Sequence, residues 1–238
     1  MRLITFGDSY TQGIGLDGLD HWAHNNYSGT VKSMLNIKSA SPDAWPHLLA
    51  DHLGRECVNL GRGGSSTKYV FQMIKEFDFE ETDLVVIQWP GGPRNVIWKD
   101  CEDGDSEYIP LCEIAPYYKE AENYYKNYYT EFDSNYNTAI YIECIHAYLK
   151  DKGVQVYHIS DNMSWNPDIV SDEGSALNAI EKELLTKTFP ILKEVGQFFG
   201  NLLFQGFFAD MCNDGHHGRS YHIGFAKYMA ERIQTTKY

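Results

Sequence analysis

Residues 3–12 read LITFGDSYTQ, an apolar run that stops at a glycine and gives way to polar side chains. The apolar part, residues 3–6, predicts a short β-strand that ends at Gly7. A serine just past a strand, here Ser9, can present its hydroxyl at the edge of a sheet. The amides of a helix that begins there can stabilise developing negative charge. The alternative is that Ser9 only caps that helix.

Further strand-like and helix-like segments alternate along the chain. Strands are predicted at residues 3–6, 57–60, 84–89 and 154–159. Helices are predicted at 41–53, around 69–77, over much of 116–151, over most of 174–199 and near the C-terminus. The run LVVIQW at 84–89 is too apolar to have a wet face, which is typical of a parallel sheet covered on both sides. The pattern predicts an α/β fold with a parallel, doubly wound sheet, whose sites form beyond the carboxyl ends of the strands.

Two boundaries of these helices rest on specific residues. Ser41 is expected to cap the helix at 41–53, although Pro46 favours a later start. In the last helix, one apolar stripe is expected to consist of Ile223, Ala226, Met229 or Ala230, and Ile233.

Two more loops carry residues suited to chemistry. NLGRGGSS at 59–66 follows the second strand, and its glycines allow backbone amides to approach a ligand closely. Its spacing is that of neither a dinucleotide-binding nor a P-loop motif, and a tight structural turn is the alternative.

Asp214 and His217 precede the last helix. A hydroxyl nucleophile needs an imidazole base, which needs a carboxylate to orient it, although a polar surface loop is equally compatible with this spacing.

The order of these three blocks resembles that of the SGNH (GDSL-like) hydrolases over essentially the whole chain. FGDSYTQGIG, NLGRGGSS and DGHHGRSYHIGFAKYMA are similar to the first, second and last blocks of that family. The resemblance implies a flavodoxin-like three-layer α/β/α sandwich in which Ser9, Asp214 and His217 form a catalytic triad. The amides of Ser9 and Gly64 would hold the oxyanion. His216 competes with His217 for the role of base; the DxxH spacing favours His217 and leaves His216 as a neighbour in contact with substrate. No metal or organic cofactor is implied.

This chain departs from the family pattern at the third block. In the family that block is GxND, whose Asn completes the oxyanion hole, whereas here the third strand is followed by WPGGPRN at 89–95. Asn95 can supply the donor if the loop folds back. Trp89 and Arg94 are candidate substrate contacts, and Arg94 can instead pair with Asp8 in a structural ion pair. The remodelled block resembles that of a divergent, phage-type branch of the family.

The resemblance implies a serine esterase that removes a small acyl group, acetyl above all, from a substrate such as a glycan. The alternatives are a lipase- or thioesterase-like acyl hydrolase and a non-catalytic carbohydrate-binding or viral accessory module.

One domain over residues 1–238 is expected, with insertions at about 16–40 and 91–136 that select the substrate. The second insertion is rich in tyrosine. If this segment is helical, one face of the helix carries Tyr117, Ala121, Tyr124, Tyr128 and Phe132. This face predicts a helix packed on its domain, with a sugar-stacking platform or a dimer face as the alternative.

The net charge is −13 over 238 residues, which argues against nucleic acid and anionic membranes as partners. The chain begins directly with a strand, without the apolar core of a signal peptide, and no apolar run is long enough to span a bilayer. The expected location is the cytoplasm, or a virion or host cytoplasm if the gene belongs to a phage.

Overall fold

The computed structural model describes residues 1–16, 40–90, 94–100, 106–112, 119–160, 179–189, 212 and 216–235. Within these ranges the strands are β1 (Arg2–Gly7), β2 (Glu56–Gly61), β3 (Leu84–Trp89), β4 (Arg94–Asp100), β5 (Ser106–Cys112) and β6 (Gln155–Ser160). The helices are α1 (Ser9–Gln12), α2 (Trp45–Leu53), α3 (Thr67–Glu76), α4 (Lys119–Asn127), α5 (Glu131–Asp151), α6 (Ala179–Thr188) and α7 (Arg219–Thr235). No described helix has the length and apolar character needed to cross a membrane.

Four strands form a parallel sheet in the order β2-β1-β3-β6. In its register Gly7 lies opposite Gly61, and Trp89 lies opposite Ser160, so the carboxyl ends of all four strands meet at one edge. All six residues of β3 are buried, because helices cover both faces of the sheet. The predicted parallel, doubly wound sheet is therefore confirmed.

The two faces of the sheet carry separate hydrophobic layers. On one face, side chains such as Ile4 and Val85 pack with residues of α3, α5 and α6. On the other, Leu3 and Val86 pack with residues of α2 and α7. Neighbouring residues of one strand thus face opposite layers, as the alternation of side chains in a strand requires. The result is the three-layer α/β/α sandwich that the resemblance implied.

The starts of two helices differ from the sequence prediction. Helix α2 begins at Trp45 rather than near Ser41, with Pro46 in its first turn, and its N-cap is Ala44. Ser41 is not the helix cap, because its hydroxyl instead accepts the N–H of Asp43 in the preceding turn (3.1 Å). In place of one long helix, α4 and α5 are separated before Thr130, whose hydroxyl accepts the N–H of Asp133 and caps α5.

Two predicted apolar helix faces differ in part from those in the structure. Tyr128 lies beyond the end of α4 and its side chain is 69% exposed, so the single face drawn through it was wrong. Tyr117 lies outside the described residues. In α7 the predicted apolar stripe is confirmed at Ala226, Met229 and Ala230, which are buried, and wrong at Ile223, which is 49% exposed. The buried residues of this helix are Tyr221, His222, Phe225, Ala226, Met229 and Ala230.

The insertion at 91–136 contains an antiparallel hairpin of β4 and β5 that the sequence reasoning missed. Arg94, at the start of β4, pairs with Cys112 at the end of β5, so the start of the hairpin lies next to the end of β3. β4 packs against α3 and β5 against α4. Of the first insertion, residues 17–39 lie outside the described part of the chain, and the single-domain organisation stays a prediction.

Candidate active site

The loop after β1 places Ser9 at the first position of the one-turn helix α1. The cap of this helix is Asp8, whose carboxylate accepts the N–H of Tyr10 (3.0 Å). Capping, the alternative role for Ser9, therefore belongs to its neighbour. Ser9 is 3% exposed. Gly7 is required before it, because a Cβ there would collide with the Thr11 hydroxyl and lie 3.0 Å from the Gln88 carbonyl oxygen.

The glycine-rich loop after β2 is fastened directly to this nucleophile loop. Gly63 donates its N–H to the Gln12 side-chain oxygen (2.6 Å). The Ser65 hydroxyl donates to the Gly7 carbonyl (2.9 Å). Gly64 lies between these two anchors with φ +73°, a conformation that favours glycine. The oxyanion role of its amide stays a prediction, but the loop that carries it lies beside α1.

Arg94 reaches the nucleophile loop from the start of the β4–β5 hairpin. Its Nη1 lies 2.6 Å from Asp8 Oδ2; the Asp8 side chain is 1% exposed and that of Arg94 is 20% exposed. The structure thus contains the ion pair that was the alternative to a substrate contact for Arg94. Asn95, the doubtful oxyanion donor, directs its amide N–H to the Tyr124 hydroxyl (2.8 Å).

Trp89, predicted as a substrate contact, lies in the core. Its side chain is fully buried at the end of β3, and its indole N–H donates to His158 Nδ1 (3.0 Å). A tryptophan that ends a central strand packs between the layers before the chain reaches the loop, and its contact with substrate stays a prediction. Burial, and secondarily the nearby His146, lowers the pKa of His158 to about 3.

The segment before α7 brings two histidines to the residue that follows Ser9. The His217 ring lies 4.6 Å from the Tyr10 ring, centroid to centroid, and the His216 ring lies 5.5 Å from it. The Cys212 N–H donates to the His216 carbonyl (2.7 Å), which fixes the backbone of this segment. Asp214 lies outside the described residues, so its place beside His217 stays a prediction. The roles of His216 as a substrate contact and of His217 as the base stay predictions.

Several residues near the site were not found by sequence reasoning. Gln88 is buried in β3, and its side-chain oxygen accepts the Thr11 hydroxyl (2.8 Å) and the Trp45 indole N–H (3.2 Å). It is the polar residue in an otherwise apolar strand, which is the signal that marks it. His222 is buried and its Nδ1 accepts the Trp45 N–H (3.0 Å), so this ring belongs to the α2–α7 contact. Within the described ranges no group of three or more metal-binding side chains clusters together.

No protein-family model and no curated protein matches the sequence. Several solved structures are similar to the chain along nearly its whole length. A member of the lipolytic protein G-D-S-L family from Veillonella parvula DSM 2008 is 12% identical, with 99% of this chain and 100% of that chain covered and a TM-score of 0.48. The acetyl xylan esterase AlAXEase is 12% identical, with 98% and 100% covered and a TM-score of 0.49. The lipase/acylhydrolase from Enterococcus faecalis is 12% identical, with 98% and 96% covered and a TM-score of 0.47.

At such identities and TM-scores these similarities decide nothing about the chemistry of this chain. The fold that the resemblance to the SGNH hydrolases implied is the fold found, a parallel sheet between two helical layers. The phage-type branch stays a prediction.

Proposed function

We propose that the chain is a serine esterase with Ser9 as nucleophile. The observation that carries the proposal is the convergence of distant segments on residues 7–12. Hydrogen bonds bring the glycine-rich loop to Gly7 and Gln12, an ion pair brings Arg94 to Asp8, and ring contacts bring His216 and His217 to Tyr10. A serine, a backbone loop and an imidazole gathered at one sheet edge are the parts that acyl transfer needs.

In the proposed reaction the Ser9 hydroxyl attacks the ester carbonyl carbon while His217 takes the hydroxyl proton. The negative charge that develops on the carbonyl oxygen is held by the amides of Ser9 and Gly64. Collapse of the intermediate expels the alcohol, which receives the proton from His217 and leaves Ser9 acylated. A water molecule, deprotonated by His217, then releases the carboxylic acid and restores the hydroxyl. Asp214 is assigned to orient His217.

The proposed substrate carries a small acyl group, such as acetyl, on a sugar. Ser9 is almost fully buried, which favours a small acyl group over a long chain. Tyr124, Tyr125 and Tyr129 form a cluster of rings, with centroids 5.1–6.3 Å apart, next to Asn95 and hence near Arg94. Aromatic faces suit the C–H groups of sugar rings. The solved structures do not decide this point, because an acetyl xylan esterase and a lipase/acylhydrolase are both among them.

The test is hydrolysis of p-nitrophenyl acetate by Ser9→Ala and His217→Ala. Each change should abolish turnover, because members of a catalytic unit act together rather than additively. Ser134→Ala, a change of the same kind on α5, is the matched control and should retain full activity. Circular dichroism checks that all three variants fold. Undiminished turnover by Ser9→Ala would sink the nucleophile assignment.

A non-catalytic carbohydrate-binding module is the second candidate. It is favoured by the third loop, where the family's Asn is absent and the Asn95 amide is bound to Tyr124. A fluorophosphonate probe separates the two candidates, since it labels only an activated serine. Labelling lost in Ser9→Ala supports the esterase, whereas absence of labelling together with binding of a glycan supports the module. A series of acyl chain lengths distinguishes an acetyl esterase from a lipase- or thioesterase-like enzyme.

A further inference from the structure

His217 is enclosed between two tyrosine rings. Its ring centroid lies 4.0 Å from that of Tyr221 with the planes 28° apart, and 4.6 Å from that of Tyr10 with the planes 32° apart. Both angles are small, so the imidazole presents its faces, rather than its ring nitrogens, to the two phenols. The two nitrogens lie in the ring plane, where their hydrogen bonds form.

The stack continues from His217 into the core. Tyr221 is stacked on Phe225 with centroids 5.7 Å apart and planes 4° apart, and Phe225 meets the Trp45 ring edge to face at 5.0 Å. His217, Tyr221 and Phe225 are four residues apart in sequence, which places the latter two on one face of α7. Tyr221 is 2% exposed, and Phe225 and Trp45 are fully buried. The position of the imidazole is thus set by rings that are anchored between α2 and α7.

We propose that Tyr10 and Tyr221 are positioning residues for the base, and that their faces stabilise the imidazolium that His217 becomes when it takes the proton of Ser9. This inference rests on the proposed esterase function. The face of an aromatic ring attracts a cation, most strongly where water is excluded. The imidazole is neutral before the proton transfer and positive after it, so the two rings stabilise the reacting state more than the resting state. The rings therefore share the role otherwise assigned to Asp214 alone.

Other titratable groups lie around His217 among the described residues. The phenol rings of Tyr10 and Tyr221 pack on its imidazole, the thiol of Cys212 lies 3.5 Å from its backbone carbonyl oxygen, and the imidazole of His216 packs on one of these phenol rings, that of Tyr10. Since a second imidazole adjoins Tyr10, His216→Asn is needed as a background in which His217 is the imidazole of this pair that remains.

The experiment compares Tyr221→Leu with Tyr221→Phe in the profile of kcat/KM against pH for p-nitrophenyl acetate. Leucine removes the aromatic face, whereas phenylalanine keeps it and loses only the hydroxyl. Without the face the cation is less stable, so His217 gives up its proton more readily and the acid limb moves to lower pH. We expect a move of about 0.4–1.5 pH units and a fall in kcat of about 2- to 30-fold, with KM little changed. Tyr221→Phe should match the unmodified protein in both measurements.

Tyr10→Leu and Tyr10→Phe repeat the comparison at a less buried ring, in case Tyr221→Leu does not fold. Each pair is also measured in the His216→Asn background, where the same displacement of the acid limb is expected. An acid limb that stays in place in both leucine variants, with kcat retained, overturns the inference while leaving the esterase proposal intact. So does an equal loss of activity in the leucine and phenylalanine variants, since it assigns the effect to the hydroxyls. Failure of the esterase proposal is seen separately, as turnover that survives Ser9→Ala and His217→Ala.

Discussion

Asp8 and Arg94 form an ion pair next to the proposed nucleophile, and we expect this pair to contribute to the stability of the fold. Arg94→Ala removes the cation from a carboxylate that is almost completely buried. We expect the free energy of unfolding to fall by about 2–4 kcal/mol, near the range for breaking a buried pair, with a smaller effect on kcat. Denaturant titration and steady-state kinetics measure the two quantities.

A double-mutant cycle shows whether this loss comes from the pair itself. Adding Asp8→Asn to Arg94→Ala removes the buried charge, so the double variant should be more stable than Arg94→Ala alone. If the two changes were simply additive, the pair would not be the source of the lost stability. A large fall in kcat of Arg94→Ala, with the free energy of unfolding little changed, would instead assign Arg94 to the reaction.

Asn95 is the residue on which the third oxyanion donor depends. Its amide N–H is directed to the Tyr124 hydroxyl, and it lies beyond the position where the family carries its Asn. We therefore expect Asn95→Ala to lower kcat less than about tenfold, below the usual cost of a lost side-chain donor. Tyr124→Phe is the matched variant, because it removes only the hydroxyl that the amide contacts.

The opposite result for Asn95 is equally informative. A loss of about a hundredfold or more in kcat, with KM unchanged, is the usual size for an oxyanion donor. It would restore the ordinary family mechanism with the Asn displaced along the loop. If Tyr124→Phe then raised kcat, the hydroxyl would compete with the substrate for the amide.

At the scale of elements, the contact between β3 and β6 contains a titratable group in its core. Trp89 at the end of β3 donates to His158 Nδ1 in β6, so the neutral His158 ring carries its proton on Nε2, which faces His146 Nδ1 at 3.2 Å. Protonation would place a second N–H against the indole N–H. Burial and the neighbouring His146 hold the pKa of His158 at about 3, well below its ordinary value of 6.5.

This lowered pKa makes the stability of the fold depend on pH in a definite direction. Between about pH 6.5 and about pH 3 the unfolded chain binds a proton at residue 158 that the folded chain does not. The stabilisation that comes from the neutral, buried His158 is fully present above the pKa of this residue in the unfolded chain, about 6.5. It is lost as pH falls towards about 3, so the free energy of unfolding drops by about 2–3 kcal/mol between pH 7 and pH 4.5. His158→Asn keeps an acceptor for Trp89 but does not titrate. Its free energy of unfolding should fall less over that range, and parallel curves for the two proteins would contradict the assignment.

Elements with a strong local pattern were predicted well, whereas those set by tertiary contacts were not. LVVIQW at 84–89 matches β3 residue for residue, because a central strand buried on both faces is apolar nearly throughout, with Gln88 as its polar residue. The β4–β5 hairpin was missed, although Asp103-Gly104 between two stretches with β-branched and aromatic residues is a hairpin signal. The break before α5 was also readable, since Thr130 precedes Asp133 by the capping interval.

The candidate site divides along the same line. Ser9, the glycine-rich loop and His217 were predicted because blocks of sequence mark them, and the Asp8–Arg94 pair was foreseen as an alternative. The contact of Tyr10 with His217 was not predicted, because it depends on how the segment before α7 meets the sheet edge and joins residues at opposite ends of the chain. The contact of His217 with Tyr221 was missed although the two residues are four apart in sequence.

Over the whole molecule, Asn59 joins elements that are far apart in the chain. From the end of β2, its amide N–H donates to the Thr11 carbonyl (2.8 Å) in α1. Its side-chain oxygen accepts the Gly61 N–H (2.9 Å) and the Thr5 hydroxyl (3.3 Å). One side chain therefore ties β1, α1 and the glycine-rich loop together beneath the proposed nucleophile.

Asn59→Asp tests how far the site depends on this junction. The substitution keeps the shape and the accepting oxygen, but it replaces the donor by a charged oxygen that faces the Thr11 carbonyl. We expect the free energy of unfolding to fall by about 1–3 kcal/mol, the cost of a lost hydrogen bond with an unsatisfied group, and kcat for p-nitrophenyl acetate to fall with it. Asn127→Asp is the matched control, because that amide makes the same kind of bonds, to Asn123, on an exposed face of α4. Denaturant titration at pH 7 compares the two, and the control should change by less than about 0.5 kcal/mol. Equal effects of the two substitutions would mean that the blocks are held together by the sheet alone, without this side chain.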